Sequence, residues 1–428
     1  MLAPAIVSFS PTPEFPEIAE AQAFLTALAA TDEVMRIVDQ RQRRLKLQTS
    51  YGHALAMFRG FSSDETKAAF TKAEQMLAGI NDPTERYLAY YGLWLPSASR
   101  GDLASARATA ETFLHDAASA NRMTETAIAH ALLGFTCWIQ GDFDSALTHL
   151  HDAIRICDPR RDREAALRFN ALDAGAWASL YLAIALWLRG EVERADETIK
   201  DARQRAIECA HAPVLAQHYD FEGMFEALRG DAEAVRRAAE LCIEVGQEHG
   251  IAVFLSEGIG YLGWARAKLG EREAGIAQLN ECISAHVEQG NRAFIPFFQG
   301  LLAEIEGQEG DPQAGLSRID AAIALTNEMG ARWCDAFLLH IRGKILLHCD
   351  PENTAPAEEA FCSAIDIAQR QETKSLELRA ALALAKLYQA SNRTADAQAV
   401  LGPAIENFSP TSEFPEIQEA RTLLRAST

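Results

Sequence analysis

The sequence predicts an all-α protein, a right-handed α-solenoid of helix hairpins with a period of about 40 residues. Three observations predict it. Turn signals of the form Gly-Asp or Gly-Glu stand at Gly101, Gly141, Gly190, Gly230, Gly270 and Gly310, and Asp350 and Asn392 take the same slot. Five of the seven spacings are 40. Seven residues before the turn stands a small residue in all units but the first: Gly134, Ala183, Gly223, Gly263, Ala303, Gly343 and Ala385. Glycine inside a helix costs about 1 kcal/mol relative to alanine, so its recurrence needs a packing reason, and close approach of two helices supplies one. Five residues after the turn come Ala106, Ala146, Ala195, Gly275, Gly315 and Ala397, with Val235 the exception. The two small positions are expected to face each other within a hairpin. Between turns, apolar residues recur every three or four positions, as in Ala146, Leu147, Leu150, Ala153 and Ile154, which is the helical period. No segment alternates with period two for long enough to make a strand.

Taken in order, residues 1–28 form a unit of their own, because LAPAIVSFSPTPEFPEIAEAQAFL (2–25) repeats as LGPAIENFSPTSEFPEIQEARTLL (401–424). The chain opens with a copy of its own ending, which suggests a fragment of a tandem array or a solenoid with its end-piece at both ends. Residues 1–12 are expected to lack a fixed place and 14–28 to form a helix on the first hairpin. The other expectation is that this copy seats on another molecule's last repeat, head to tail. Residues 29–428 read as one continuous array. Its basic run, Arg41, Arg43, Arg44 and Lys46, reads as a solvated helix face. The one long step between turns, from Gly141 to Gly190, contains the insertion DPRRDREAALRFNALDAG. In the end-piece, 401–428, Leu401, Ile405 and Phe408 are expected to continue a helix, and FPEIQEARTLL to fold back over the last apolar face.

Asp and Glu (60) exceed Lys and Arg (40), giving a net charge of −20, which argues against phosphate backbones and anionic membranes as partners. The eight cysteines form no CxxC pair and read as reduced thiols of a cytoplasmic protein. No apolar run is long enough to span a bilayer. His149 and His151 lie on opposite sides of a helix, and Cys209, His211 and His218 are too few for a tetrahedral metal site. No metal, cofactor or active site is expected. There is no GxSxG, and no GxxxxGK[ST] beyond the chance pair Gly343-Lys344.

The small residue, the step of seven, the turn and the apolar positions that follow (Ala385, Tyr388, Ala397, Leu401, Ala404 and Ile405) resemble the tetratricopeptide repeat, although its usual period is shorter. In that frame the groove-facing slots of the first helices receive Phe135, Trp138, Trp187, Met224 and Trp264. Few of these slots carry a basic residue. Such a groove would suit an apolar or amphipathic helix anchored by aromatics, with Trp187 and Trp264 partly exposed. The alternative is that these side chains are core. Four longer stretches, 173–190, 330–347, 357–387 and the ending, resemble the helical region of bacterial multidomain signalling proteins that join an adenylate or guanylate cyclase or DNA-binding domain to an ATPase module. That resemblance implies a non-catalytic, protein-binding or sensing scaffold in signal transduction, monomeric or weakly associating. The other reading is the effector domain of a transcriptional regulator without its DNA-binding part.

Overall fold

The computed structural model describes residues 36–37, 39–56, 60–76, 83–162, 173–406, 408 and 415–426. Both expectations for residues 1–28 lie outside these. Among the described residues there are nineteen helices and no strand. The first two are α1 (39–56) and α2 (Asp64–Met76). Eight hairpins follow: α3 (Pro83–Arg100) with α4 (Leu103–Ser119), α5 (Met123–Ile139) with α6 (Phe143–Ile156), α7 (Ala174–Leu188) with α8 (Val192–Cys209), and α9 (Ala212–Arg229) with α10 (Ala232–His249). The array continues with α11 (Ala252–Lys268) and α12 (Arg272–Gln289), α13 (Ile295–Glu309) and α14 (Pro312–Met329), α15 (Asp335–Cys349) and α16 (Ala355–Arg370), and α17 (Lys374–Ala390) and α18 (Thr394–Ile405). The end helix α19 (Pro415–Ala426) closes it. None of these helices is long and apolar enough to cross a membrane. The fold is a tetratricopeptide-like helical solenoid.

The Gly-Asp turn has a two-part cause. Glycine supplies the left-handed backbone that ends one helix, with φ of 85° at Gly101 and 88° at Gly230. The aspartate then caps the next helix: Asp102 accepts from Ser105 N at 3.2 Å and Asp231 from Ala234 N at 2.9 Å. Glu191 and Glu271, one methylene longer, make no such cap. Gly310 and Asp350 depart from the pattern, with φ of −133° and −146°. A proline follows each within two residues, Pro312 as the first helical residue after the Asp311 cap, and Pro351. A second series of turns between hairpins also adopts positive φ, at Gly250, Gly290 and Gly330, 40 residues apart.

The small residues meet as expected at Gly263 with Gly275 and at Ala303 with Gly315. A Cβ on Gly263 would lie 2.7 Å from Gly275 O, and one on Gly275 would lie 2.3 Å from Gly263 O, so α11 and α12 touch backbone to backbone. Gly223 serves another neighbour, facing the ring of Tyr261 on α11.

The solenoid winds far enough for its second turn to stack on its first. Ser99 O, at the end of α3, accepts from Arg292 N at 2.7 Å and Ala293 N at 3.1 Å; Ile139 O, at the end of α5, accepts from Arg332 N at 2.9 Å and Trp333 N at 3.2 Å. Ser375 donates its hydroxyl to Trp187 O, and Arg379 donates its guanidinium to Leu228 O and, at 3.0 Å, to Arg229 O. In each case the orphan carbonyls of a helix C-terminus in the first half are satisfied by the start of a hairpin in the second half. Trp138 stacks on Trp333 with ring centroids 4.5 Å apart, sealing the interior at mid-height.

At the C-terminus, α18 ends at Ile405 and Phe408 does not continue it. Its ring crosses to the Gly190 turn, where a Cβ would lie 2.9 Å from Phe408 Cε1. The end helix packs on α17 and α18 with Ile417 and Ala420 buried, as expected of FPEIQEARTLL. The basic run is exposed at Arg41, Arg43, Arg44 and Lys46, and Arg43 pairs with Asp39 of its own helix at 3.1 Å.

Candidate functional site

The first helices of the hairpins line the inside of the winding. Two spaces stand out there among the described residues, one toward each end. The larger is a cleft of about 1100 Å³ bounded by α9, α11, α13, α15, α16, α17 and α19. Its walls carry Arg229, Lys268, Lys344, Arg379 and Lys386 against Glu304, Glu416 and Glu419. In a chain of net charge −20, five cations against three carboxylates make this a local positive surface.

At the back of the cleft Glu304 receives Lys344 Nζ at 2.9 Å and Lys268 Nζ at 3.0 Å. Burial pushes the carboxyl up, but the two ammonium groups outweigh it and bring the pKa down to about 2. Beside them, burial and then Lys344 and Arg379 lower His340 to about 3, so its ring is neutral, and its Nδ1 lacks a hydrogen-bond partner. Arg379 lies over the Trp187 ring, 5.2 Å from its centroid. At the rim Arg379 meets Glu416 at 2.9 Å and Lys386 meets Glu419 at 2.7 Å. The end helix is therefore an amphipathic helix that turns its two glutamates to the cations of the cleft, already seated on part of it.

The smaller space, about 90 Å³, lies among α3, α5, α7, α9, α11 and the loop 291–294. Its walls are aromatic. Trp94, Phe135, Trp177, Tyr181 and Phe221 form a continuous series of ring contacts with centroids 4.6 to 5.9 Å apart. Two carboxylic residues, Asp220 and Glu257, interrupt them.

The groove residues read from the repeat frame do point inward, but the second turn of the solenoid covers them. Trp138 (0% exposed) and Met224 (1%) are core, and Trp187 (1%) lies under Arg379. Phe135 lines the small cavity and Trp264 the cleft. The expected partial exposure of Trp187 and Trp264 is corrected, since Trp264 is only 3% exposed. The few basic residues in these slots gather in the last repeats. Six residues before each turn stand Phe135, Ile184, Met224 and Trp264, and in later repeats Glu304, Lys344 and Lys386. Reading that slot to the end of the chain would have found the charged cleft. Among the described residues no cluster of His, Cys, Asp or Glu is arranged to hold a metal, and none of the eight cysteines forms a disulfide.

No protein-family model matches the chain, and no curated protein does. Among solved structures it is similar to a Rap protein complexed with competence and sporulation factor, at 13% identity over 77% of this chain and 99% of that one, with a TM-score of 0.52. Looser likenesses are aspartyl phosphate phosphatase F from Bacillus subtilis (13%, 86% and 96%, TM-score 0.44) and a signal transduction ATPase with a tetratricopeptide-repeat sensor from Pyrococcus horikoshii (14%, 86% and 56%, TM-score 0.38). The Rap likeness shows the shared fold, and the other two align too loosely to add to it.

Proposed function

We propose that this chain is a non-catalytic scaffold whose C-terminal cleft receives an acidic amphipathic helix of a partner protein. The observation that carries this reading is the seat of α19. Its apolar residues Ile417 and Ala420 are buried, while Glu416 and Glu419 meet Arg379 and Lys386. Only part of the cleft is filled this way, and the space beyond α19 is bordered by Lys268 and Lys344. Helix-in-groove binding uses these components: an apolar stripe for affinity and charges at the rim for register. A protein of the same fold, the Rap protein, is complexed with a separate factor. The proposal sets the scaffold in a cytoplasmic signalling system, a reading supported by the stretches that resemble bacterial cyclase- and ATPase-linked regulators.

The chain supplies its own probe. Glu17, Ile18, Glu20 and Ala21 repeat Glu416, Ile417, Glu419 and Ala420. A fluorescein-labelled synthetic peptide of residues 14–25 is titrated into the full chain and followed by anisotropy. Saturable binding that weakens with salt and falls at least about fivefold in Lys268→Glu supports the proposal. No saturation, or binding indifferent to both changes, overturns it.

A further inference from the structure

The aromatic cavity holds a feature that the scaffold role does not use. Asp220 and Glu257 stand side by side, 3% and 6% exposed, and share a hydrogen bond. Asp220 Oδ1 is buried, lines the cavity and has no hydrogen-bond partner. Among the described residues neither carboxyl is paired with a lysine or arginine; the nearest basic group is His286, whose Nε2 lies 3.3 Å from Glu257 Oε1. Buried carboxyls are ordinarily paired or fully hydrogen-bonded, so an acceptor left open toward a cavity marks where a donor is missing. The surrounding ring faces carry negative charge density and favour a cation.

We propose that this cavity binds a small organic ammonium ion, its N–H groups on Asp220 Oδ1 and Glu257 and its alkyl body against Trp94, Phe135, Trp177 and Tyr181. Size limits the guest. A cavity of about 150 Å³ holds benzene, so about 90 Å³ suits a molecule of about four heavy atoms. Entry is from the side of Phe61, Gln217 and Phe294, the half-buried residues of the lining.

The titration of the pair agrees with this occupant. Burial raises Asp220 to about 7, while the proton donated by Glu257 opposes the rise. Glu257 itself is pushed well up by burial and by Asp220. Tyr181, Tyr261, Cys242 and Cys282, packed around the pair, are kept neutral by burial, and burial holds His286 down at about 4. An entering ammonium therefore meets no competing cation, and below pH 7 it displaces a proton from Asp220.

The test is isothermal titration of the full chain with propylammonium and, separately, with n-propanol, which has nearly the same shape and no charge. The expected result is one saturable site for propylammonium, with n-propanol at least about tenfold weaker. At pH 6 the heat should depend on the ionisation enthalpy of the buffer, which reports proton release. Asp220→Asn should lose about tenfold in propylammonium affinity and the proton release with it. Glu257→Gln serves as a second variant if Asp220→Asn is poorly folded by circular dichroism. Equal binding of n-propanol would reduce the site to a plain apolar cavity and overturn the proposal. So would the absence of propylammonium binding, or undiminished affinity in a folded variant.

Discussion

The two ends of the interior are built from the same repeat and end up as opposites. In the first half, the slot six residues before each turn holds Phe135, Ile184, Met224 and Trp264, all nearly fully buried. In the second half it holds Glu304, Lys344 and Lys386, around a cleft of about 1100 Å³. The difference follows from where each repeat sits in the winding. Repeats of the first half are covered by the second turn, so this slot is apolar in them, and an unpaired charge there would cost several kcal/mol. Among the described residues only α19 lies over the cleft side of the last repeats, so their inner residues can be charged and stay within reach of water. A solenoid shorter than one turn would be open throughout; this one is closed for as far as it overlaps itself.

The largest effect should come from breaking the seal between the halves. Trp333 is 1% exposed and stacks on Trp138. Trp333→Ala should lower the unfolding free energy by about 3–5 kcal/mol, measured in urea, because it opens a void where the two turns meet. A loss below about 1 kcal/mol would mean that the turns do not depend on each other.

A smaller effect is expected at the open end. Glu304→Gln leaves Lys268 and Lys344 facing each other without their shared carboxylate, at a cost of about 2 kcal/mol at pH 7, discounted from the fully buried case because the cleft admits water. The sign with pH is defined. Glu304 has a depressed pKa, near 2 against an unfolded value of 4.5, so its stabilisation is complete above pH 4.5 and is lost as pH falls toward 2. Wild type and variant should therefore converge in melting temperature toward pH 2. Curves that stay parallel across that range would show that the triad contributes through packing alone.

The smallest effect concerns the hairpin contact that does not depend on the winding. Gly263→Ala should cost about 1–3 kcal/mol, because its methyl meets Gly275 O and Leu279 N on the partner helix. Glycine-to-alanine exchange in a helix otherwise gains about 1 kcal/mol, so an unchanged melting temperature would mean that the helices separate easily.

The hairpins were legible because they are local. The turn glycines, the aspartate caps and the paired small residues obey constraints within one repeat, and each left a fixed spacing in the sequence. The turns at Gly250, Gly290 and Gly330 carry an equally regular spacing, readable but overshadowed by the Gly-Asp series. The candidate site was legible in part. The sequence reading stopped at Trp264, whereas the same slot continues to Lys344 and Lys386, and the winding covers it in one half and leaves it open in the other.

By itself, then, the sequence determined an all-helical array, its hairpin boundaries and the apolar face of its end helix, since each depends on residues a few positions apart. Only the tertiary structure decided that Ser99 and Ile139 would be capped from Arg292 and Arg332, that Trp138 would lie on Trp333, and that Asp220 and Glu257 would share a cavity. The reason is geometric. The rotation from one hairpin to the next is set by how side chains interlock, and small changes in it accumulate over the array. Which distant repeats finally touch is a property of that sum, and no single repeat records it.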